Sequence, residues 1–389
     1  MKIFVIARGY PSDQEPTWGC FEKDQAEALA KLGHHVTYLG VDTRFRKHRR
    51  SLGMKHNIIN NVSIYILEFI PFALLFFIPK RLKEKFYTYL YFKVFKQAIK
   101  KEGAPDVLYA HYLGYMKYAL LFSKKYNIPA IGLEHWSKLA AKRIQPEMLS
   151  LAQQIYPQLN QLITVSNFLK NNIQRNIDVN NIQVVPNLLG DEFTYQSNNT
   201  KHPLTIVSAG RLVPSKRFDL LIDAVHQIQT SLPKEWKLLI IGGGDMKTAL
   251  QKQINTLHLQ EHIQLLGQQT KAEIVRLFQQ SDIFALPSQM ETFGVVYIEA
   301  LASGLPIIAT DCGGPSDIIT KANGILIPNE NIEALKEAIL HMSNNLKDYN
   351  REAIAKDCQA RFAPEVIAKQ LTTIFEETIK THNEHQKFA

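Results

Sequence analysis

Short apolar runs, set apart by turn residues and by stretches with a period near 3.6, dominate the chain. Lys2 to Ala7 is such a run and is predicted as a buried strand. The turn Arg8-Gly9-Tyr10-Pro11-Ser12 follows. A helix then starts near Glu22 and carries Ala26, Leu29, Ala30 and Leu32 on one face, and Gly33 closes it at a C-cap position. His35 to Val41 is the second strand, so the opening reads strand, helix, strand: a parallel α/β unit. The pattern continues with a strand over 106–111, a helix over 114–126 and a strand over 128–133. Another strand over 161–165 leads through Ser166, an N-cap, into a helix at 167–176, and a strand at 182–185 closes this half.

A polar stretch from Asp191 to Lys201 reads as a linker, after which the alternation begins again. Strands are expected at 204–209, 236–241, 262–266, 282–286, 306–310 and 323–328. Helices are expected at 218–229, 271–280, 295–302, 330–344 and 347–362, and a long amphipathic helix runs from Pro364 to about His382. A chain of 389 residues exceeds one ordinary core. The expectation is an α/β protein of two domains, residues 1–190 and 200–363.

Composition adds a contrast between the halves. Hydrophobic residues make up 46% and charged residues 21%, as in a soluble globular enzyme. Residues 1–195 hold 26 Lys/Arg against 15 Asp/Glu, a balance of +11; residues 196–389 hold 19 against 21, a balance of −2. An anionic partner therefore meets the first half. Two stretches carry that charge. Residues 43–55 contain Arg44, Arg46, Lys47, Arg49, Arg50 and Lys55 with no acid. Residues 80–101 hold eight Lys/Arg, one acid (Glu84) and six aromatics between Phe86 and Phe95. Before the second lies Phe69 to Pro79, an apolar run of 11 residues, shorter than a bilayer span. Two readings stand side by side: contact with a membrane surface through 44–55 and 69–101, or a core helix whose aromatics pack while its lysines face water. The three cysteines, Cys20, Cys312 and Cys358, show no metal spacing and point to a reducing compartment. The N-terminal run ends in Arg8-Gly9 and fits a first strand better than a signal peptide.

The chemistry is concentrated at strand ends. Glu291, in a loop, and Glu299, on the following helix, have seven residues between them. They suit the vicinal hydroxyls of a polyol, or they are two solvated acids; spacing alone does not separate the two. Gly210-Arg211, Lys216 and Arg217 surround a strand-to-helix turn, where a guanidinium, an ammonium and a helix N-terminus favour a diphosphate. Gly242-Gly243-Gly244 ends another strand, but Lys247 stands where a dinucleotide fingerprint needs its third glycine, which argues against NAD. His111 and His135 both follow strands of the first half, at the edge where open sheets place ligands.

In combination, Gly210-Arg211, Lys216, Gly242-Gly243-Gly244, Glu291-x7-Glu299 with Phe293-Gly294, and Gly313-Gly314-Pro315 resemble family 4 of the retaining glycosyltransferases. That resemblance implies two Rossmann-like domains facing across a cleft, the GT-B architecture. It makes 1–190 the acceptor-binding domain and 200–363 the nucleotide-sugar-binding domain, with residues 364–389 packing back on the first. It implies transfer of a hexose-type sugar from a nucleotide diphosphate sugar to a glycan or lipid-linked acceptor, with no cofactor and no metal. Arg211 and Lys216 resemble the diphosphate ligands. Glu299 resembles the ribose-binding carboxylate, and Glu291 the carboxylate at the donor sugar. Gly210 and Gly243 belong to the glycine turns beside the donor. Phe293, Gly294 and Val295 begin the helix that meets the distal phosphate. Gly19 resembles the N-terminal loop glycine, and His135 the histidine at the sugar's edge, although Trp136 follows it where the family often has glycine. The implied catalytic set is Glu291, His135, Lys216 and Arg211, acting by front-face substitution.

The reading that follows is a hexosyltransferase of cell-surface polysaccharide synthesis, peripheral on the cytoplasmic face of a membrane, using a UDP-sugar in preference to a GDP-sugar. The alternatives are a sugar-nucleotide 2-epimerase of the same fold and a non-catalytic nucleotide-sugar-binding protein. Nucleic acid is not an expected partner, because the basic half is interleaved with apolar sequence.

Overall fold

A computed structural model describes residues 1–12, 15, 18–44, 51–70, 77–141, 143–197 and 203–387. The chain divides into two compact units, Met1–Pro186 with Pro364–Ala389, and Asn187–Ala363.

In the first unit the elements run β1 (Lys2–Ala7), α1 (Cys20–Lys31), β2 (His35–Asp42), β3 (Gly53–Ile59), β4 (Val62–Glu68), α2 (Lys80–Glu102), β5 (Val107–His111), α3 (Leu113–Tyr126), β6 (Ala130–Glu134), α4 (Ser137–Ala140), α5 (Pro146–Ile155), β7 (Gln161–Thr164), α6 (Asn167–Asn176) and β8 (Ile182–Val184). The sheet has the order β3-β4-β2-β1-β5-β6-β7-β8. Every pairing is parallel except β3 with β4. Strands covered on both faces must be apolar throughout, and β1 and β5 are buried along almost their whole length. Ser166 caps α6 by accepting a hydrogen bond from the Leu169 amide at 3.2 Å.

Strands β3 and β4 are not among the expected elements. The basic stretch 43–55 gives its last three residues to β3, which is an edge strand with its second half exposed. Its side chains thus present no buried run for the sequence to display. Of the cations in that stretch, Arg44 and Lys55 are among the described residues, and both are paired. Arg44 pairs with Asp42 at 2.9 Å and Glu15 at 3.0 Å and lies 3.8 Å over the Trp18 ring; Lys55 pairs with Glu68 at 2.9 Å. Residues 45–50 and 71–76 of the two expected membrane stretches lie outside the described residues.

The aromatics of helix α2 divide between the core and the surface. Tyr91 and Phe95 are core: Tyr91 stacks on Tyr118 at 4.2 Å and donates to the Ala7 carbonyl at 3.0 Å, and Phe95 stacks on Phe122 at 4.0 Å. Leu82, Phe86 and Tyr89, one and two turns apart, are 54%, 37% and 60% exposed. No helix among the described residues is long and apolar enough to cross a membrane.

The second unit contains β9 (Thr205–Ala209), α7 (Phe218–Ile228), β10 (Lys237–Ile241), α8 (Lys247–Thr256), β11 (Ile263–Gly267), α9 (Lys271–Gln279), β12 (Ile283–Leu286), α10 (Val295–Ala302), β13 (Ile307–Thr310), α11 (Pro315–Ile318), β14 (Gly324–Ile327), α12 (Ile332–Asn344) and α13 (Arg351–Phe362). Its sheet is parallel throughout, in the order β11-β10-β9-β12-β13-β14.

The last helix, α14 (Pro364–Lys387), belongs to the first unit. Its buried stripe is Ile367, Ala368, Leu371, Ile374 and Phe375, the spacing of one helix face. Phe375 meets Tyr109 at 4.9 Å between ring centres, and Thr372 hydrogen-bonds His34 at 2.8 Å.

Candidate active site

In an open parallel sheet, ligands gather beyond the carboxyl ends of the strands where the strand order reverses. In the second unit that reversal falls between β9 and β12, the two strands that pair at the sheet centre. The loop after β9 carries Gly210, Arg211 and Lys216; the loop after β12 carries Glu291, Phe293 and Gly294. Topology alone therefore brings together two motifs far apart in sequence.

The two loops are joined by side chains. Lys216 Nζ and Glu291 Oε1 form a short ion pair, and Ser288 Oγ donates to the same oxygen at 2.8 Å. The Gln289 amide donates to the Ser215 carbonyl at 2.7 Å. Glu291 is itself held by backbone: its amide donates to the Cys312 carbonyl at 3.3 Å, and its carbonyl accepts from the Gly314 amide at 2.8 Å. Burial pushes the Cys312 thiol up to about 11, so no thiolate competes beside the carboxylate at neutral pH. Arg211 is exposed and, among the described residues, its guanidinium has no partner. Arg217, the third cation of the turn, is engaged with Glu330 at 2.9 Å and Asp219 at 3.3 Å, and Asp219 lies in the first turn of α7.

Glycines set how closely these loops pack. A Cβ on Gly242 would lie 1.9 Å from the Gly210 carbonyl oxygen, and one on Gly314 would lie 2.3 Å from the Phe293 Cα. Gly243, singled out from sequence, is exposed with open space where a Cβ would stand. Its carbonyl accepts from the Leu212 amide at 2.9 Å, so its backbone braces the loop that carries Arg211. A Cβ on Gly244 would likewise lie 2.4 Å from the Leu212 carbonyl oxygen, so Gly242, Gly244 and Gly314 are positions where a side chain does not fit, and nothing in the one-dimensional pattern separates them from Gly243.

Gly294, with φ 93°, forms the left-handed N-cap of α10. No side chain among the described residues caps this helix, so the first amides after Gly294, beginning with Val295, present the positive end of its dipole. Phe293 is buried and meets Phe362 at 5.9 Å. Glu299 lies half-buried on the second turn of α10. The arrangement can take an anion at Arg211, Lys216 and the α10 N-terminus, and hydroxyls at Glu291 and Glu299.

Gly19 and His135 belong to the first unit, where the strand order reverses between β1 and β5. Gly19 is the N-cap of α1, with φ 77°, and a Cβ there would lie 2.1 Å from the Gly9 carbonyl oxygen. His135 follows β6 and stacks on Tyr112 at 3.8 Å between ring centres; His111, at the end of β5, is 5.6 Å away. His135 Nε2, both His111 nitrogens and Trp18 Nε1 are buried without a hydrogen-bond partner among the described residues. Burial lowers both histidines: His111 falls to about 3, with Arg8 adding to the effect, and His135 falls well below the usual range, with His111 and Arg8 adding. Both are therefore neutral imidazoles.

Three residues around His135 were not singled out from sequence. Glu134, fully buried, accepts from the amides of His135 and Trp136 at 2.9 Å each with Oε1. Its Oε2 accepts from the Leu113 amide and from the Tyr156 hydroxyl, at 2.8 Å each. Burial pushes this carboxyl up, and its four donors oppose that. Arg8 pairs with the buried Glu22 at 2.7 Å and lies 4.2 Å over the Tyr112 ring. Burial works against the Arg8 charge; the pair with Glu22 more than offsets it and leaves the guanidinium raised. The one sequence signal for this network was the position of His111 and His135 after strands.

Two family models match the chain side by side: "Glycosyltransferase Family 4" over residues 23–190 and "Glycosyl transferases group 1" over residues 191–356. A putative teichuronic acid biosynthesis glycosyltransferase of Bacillus subtilis is 26% identical, over 98% of this chain and 100% of its own. Among solved structures, a sucrose-phosphate synthase from Thermosynechococcus elongatus superimposes with a TM-score of 0.77 at 19% identity, covering 98% of this chain and 100% of that one. An Anabaena protein solved in complex with UDP and glucose gives 0.72 at 18% identity, over 97% and 100% of the two chains. These likenesses establish the GT-B fold.

Proposed function

The chain belongs to the glycosyltransferases that these two models describe, and from that premise we propose that it is a retaining hexosyltransferase of polysaccharide biosynthesis. Its donor is a nucleotide diphosphate sugar, with UDP favoured over GDP, and its acceptor is a glycan or a lipid-linked glycan. One observation carries the donor assignment. Lys216 and Glu291 meet where the strand order of the second unit reverses, beside an exposed Arg211. Arg211 and Lys216 stabilise the charge that develops on the leaving diphosphate. Glu291 leaves its pair with Lys216 to accept from sugar hydroxyls, and Glu299 binds the ribose. His135, neutral and with Nε2 unpartnered, contacts a sugar as a hydrogen-bonding group. No divalent cation takes part in holding the diphosphate. The UDP and glucose of the Anabaena complex and the teichuronic acid biosynthesis named for the Bacillus relative support this choice.

The test is a thermal-shift screen of UDP, GDP and ADP in EDTA, followed by incubation with the matching sugar nucleotide and NMR of the product's anomeric proton. Stabilisation by UDP and a product of retained configuration support the reading; an inverted product overturns retention. Conversion of the donor without any acceptor marks an epimerase.

Membrane contact is the second part of the proposal. Leu82, Phe86 and Tyr89 form an exposed stripe on α2, beside the exposed Arg81 and Lys85. Such a face suits an anionic membrane surface on the cytoplasmic side. Flotation with anionic liposomes at low and high salt tests it, and absence of binding at low salt overturns it.

A further inference from the structure

Tyr112 occupies a backbone conformation that a tyrosine rarely adopts, with φ 64° and ψ 142°. Non-glycine residues persist there only when their surroundings hold them, and such residues gather at functional sites. The surroundings are explicit. The Tyr112 amide donates to the Leu133 carbonyl at 2.9 Å, which pins the end of β5 to β6. Its ring lies 3.8 Å from the His135 ring at an interplanar angle of 27°, and the Arg8 guanidinium stands 4.2 Å from the Tyr112 ring centre. Arg8 is fixed in turn by Glu22, whose side chain is fully buried. A glycine would take this backbone without strain. The side chain, not the turn, is what the strained position retains.

What the ring does there follows from His135. Glu134 holds the backbone amides of His135 and Trp136, and among the described residues its hydrogen bonds go to amides and to the Tyr156 hydroxyl, not to the imidazole. His135 Nε2 has no hydrogen-bond partner among the described residues. The imidazole plane is thus set by ring contacts: Tyr112 at 3.8 Å, with His111 at 5.6 Å and Phe21 at 5.7 Å further off.

We infer that Tyr112 is a positioning residue, strained at its backbone so that its ring fixes the plane of the His135 imidazole and with it the direction in which Nε2 is presented. The inference rests on the reading that His135 contacts a sugar. The phenol ring acts through its face, so its hydroxyl is dispensable.

Three substitutions separate the possible roles. Tyr112→Phe keeps the ring, Tyr112→Leu keeps most of the bulk, and Tyr112→Gly keeps the backbone. The probe is UDP release from UDP-glucose, with GDP-mannose as a second donor, and each variant is made alone and with His135→Ala. Phe is expected to match wild type. Leu and Gly are expected to lose about tenfold in kcat/KM, mainly in kcat, and to lose nothing further when His135→Ala is present, because the ring acts through the imidazole. If Leu fails to fold, Gly carries the test. Losses that add fully to those of His135→Ala overturn the inference, as does wild-type kcat/KM in Gly. If His135→Ala alone is fully active, the sugar-contact reading fails and the inference falls with it. A second readout needs no substrate: the His135 Cε1 proton is shielded by the stacked ring. Its NMR signal is expected to move downfield in Gly and Leu but not in Phe, and an unmoved signal in Gly overturns the stack.

Discussion

Lys216 and Glu291 are 75 residues apart in sequence and share an ion pair at the ends of neighbouring strands, with Ser288 donating to the same carboxylate oxygen. In the proposed donor assignment a diphosphate engages Lys216 and a sugar hydroxyl engages Glu291. A donor entering the site therefore exchanges one contact for two.

Glu291→Gln tests that exchange. It keeps the shape of the side chain and removes the charge that engages Lys216. Turnover of a sugar donor is expected to fall at least tenfold, because a neutral amide accepts more weakly from hydroxyls that gain polarity at the transition state. The affinity for UDP alone is expected to hold or rise, since Lys216 no longer has a competing partner. Calorimetry of UDP beside steady-state kinetics checks both, and UDP affinity falling in step with turnover contradicts the exchange.

Gly314→Ala probes the loop from behind. Its backbone is right-handed helical, so conformational strain is not the issue. The added methyl would sit 2.3 Å from the Phe293 Cα, and the Phe293-Gly294 turn must retreat by about 1 Å to reach an ordinary contact. Displacements of that size at a reacting centre cost about a hundredfold. A loss of that order in kcat is expected, together with a lowered melting temperature because the methyl meets backbone atoms. An unchanged kcat means that the turn does not meet the donor.

Acid should weaken the first unit through its histidines. His111 is fully buried, and its folded-state pKa, near 3, lies below the unfolded value of about 6.5. A depressed pKa contributes stability that is fully present above the unfolded value and is lost as pH falls below it. Between pH 7 and pH 5 one such group accounts for about 2 kcal/mol. His135, facing His111 and Arg8, adds in the same direction. The melting temperature is expected to drop over this window, and His111→Leu, which cannot titrate, is expected to flatten the slope. A slope unchanged by His111→Leu assigns the effect elsewhere.

Glu134→Gln should act on stability and chemistry together. The amide can still accept at one end, but its NH2 would face the Leu113 amide and the Tyr156 hydroxyl, both donors to the present Oε2. A buried donor left without a partner costs about 1–3 kcal/mol. A melting point lower by several degrees, with weakened turnover because the His135 backbone shifts, is the expected outcome. A variant as stable and as active as wild type contradicts the bracket assigned to Glu134.

Most strands were legible because parallel strands buried on both faces must be continuous apolar runs, as Lys2–Ala7 and Val107–His111 are. Strand β4, Val62–Glu68, is buried along almost its whole length and carries the same signal, yet it was not among the expected elements; the other missed elements lack it. Strand β3 lies at a sheet edge with an exposed second half, α8 buries only Leu250 and Ile254, and α5 buries only Ala152 and Ile155. The residues of the proposed donor site were marked by motifs and resemblance, but the pairing of Lys216 with Glu291 was not. Lys216 finds Glu291 only because β9 lies beside β12. The surroundings of His135 were hidden for a similar reason. Arg8, Tyr112 and Glu134 come from the ends of three strands, and no local pattern marks the strained tyrosine.

The most direct test of the donor assignment is UDP binding to wild type and to Lys216→Ala, measured by calorimetry in EDTA. The ion pair is mostly buried, and Lys216→Ala leaves the Glu291 carboxylate held by Ser288 without its cation, so a melting-temperature measurement of the variant accompanies the calorimetry. The account predicts that UDP binds wild type without any divalent cation, and that Lys216→Ala binds at least tenfold more weakly and turns over about a hundredfold more slowly. Equal UDP affinity and full turnover in Lys216→Ala would contradict it.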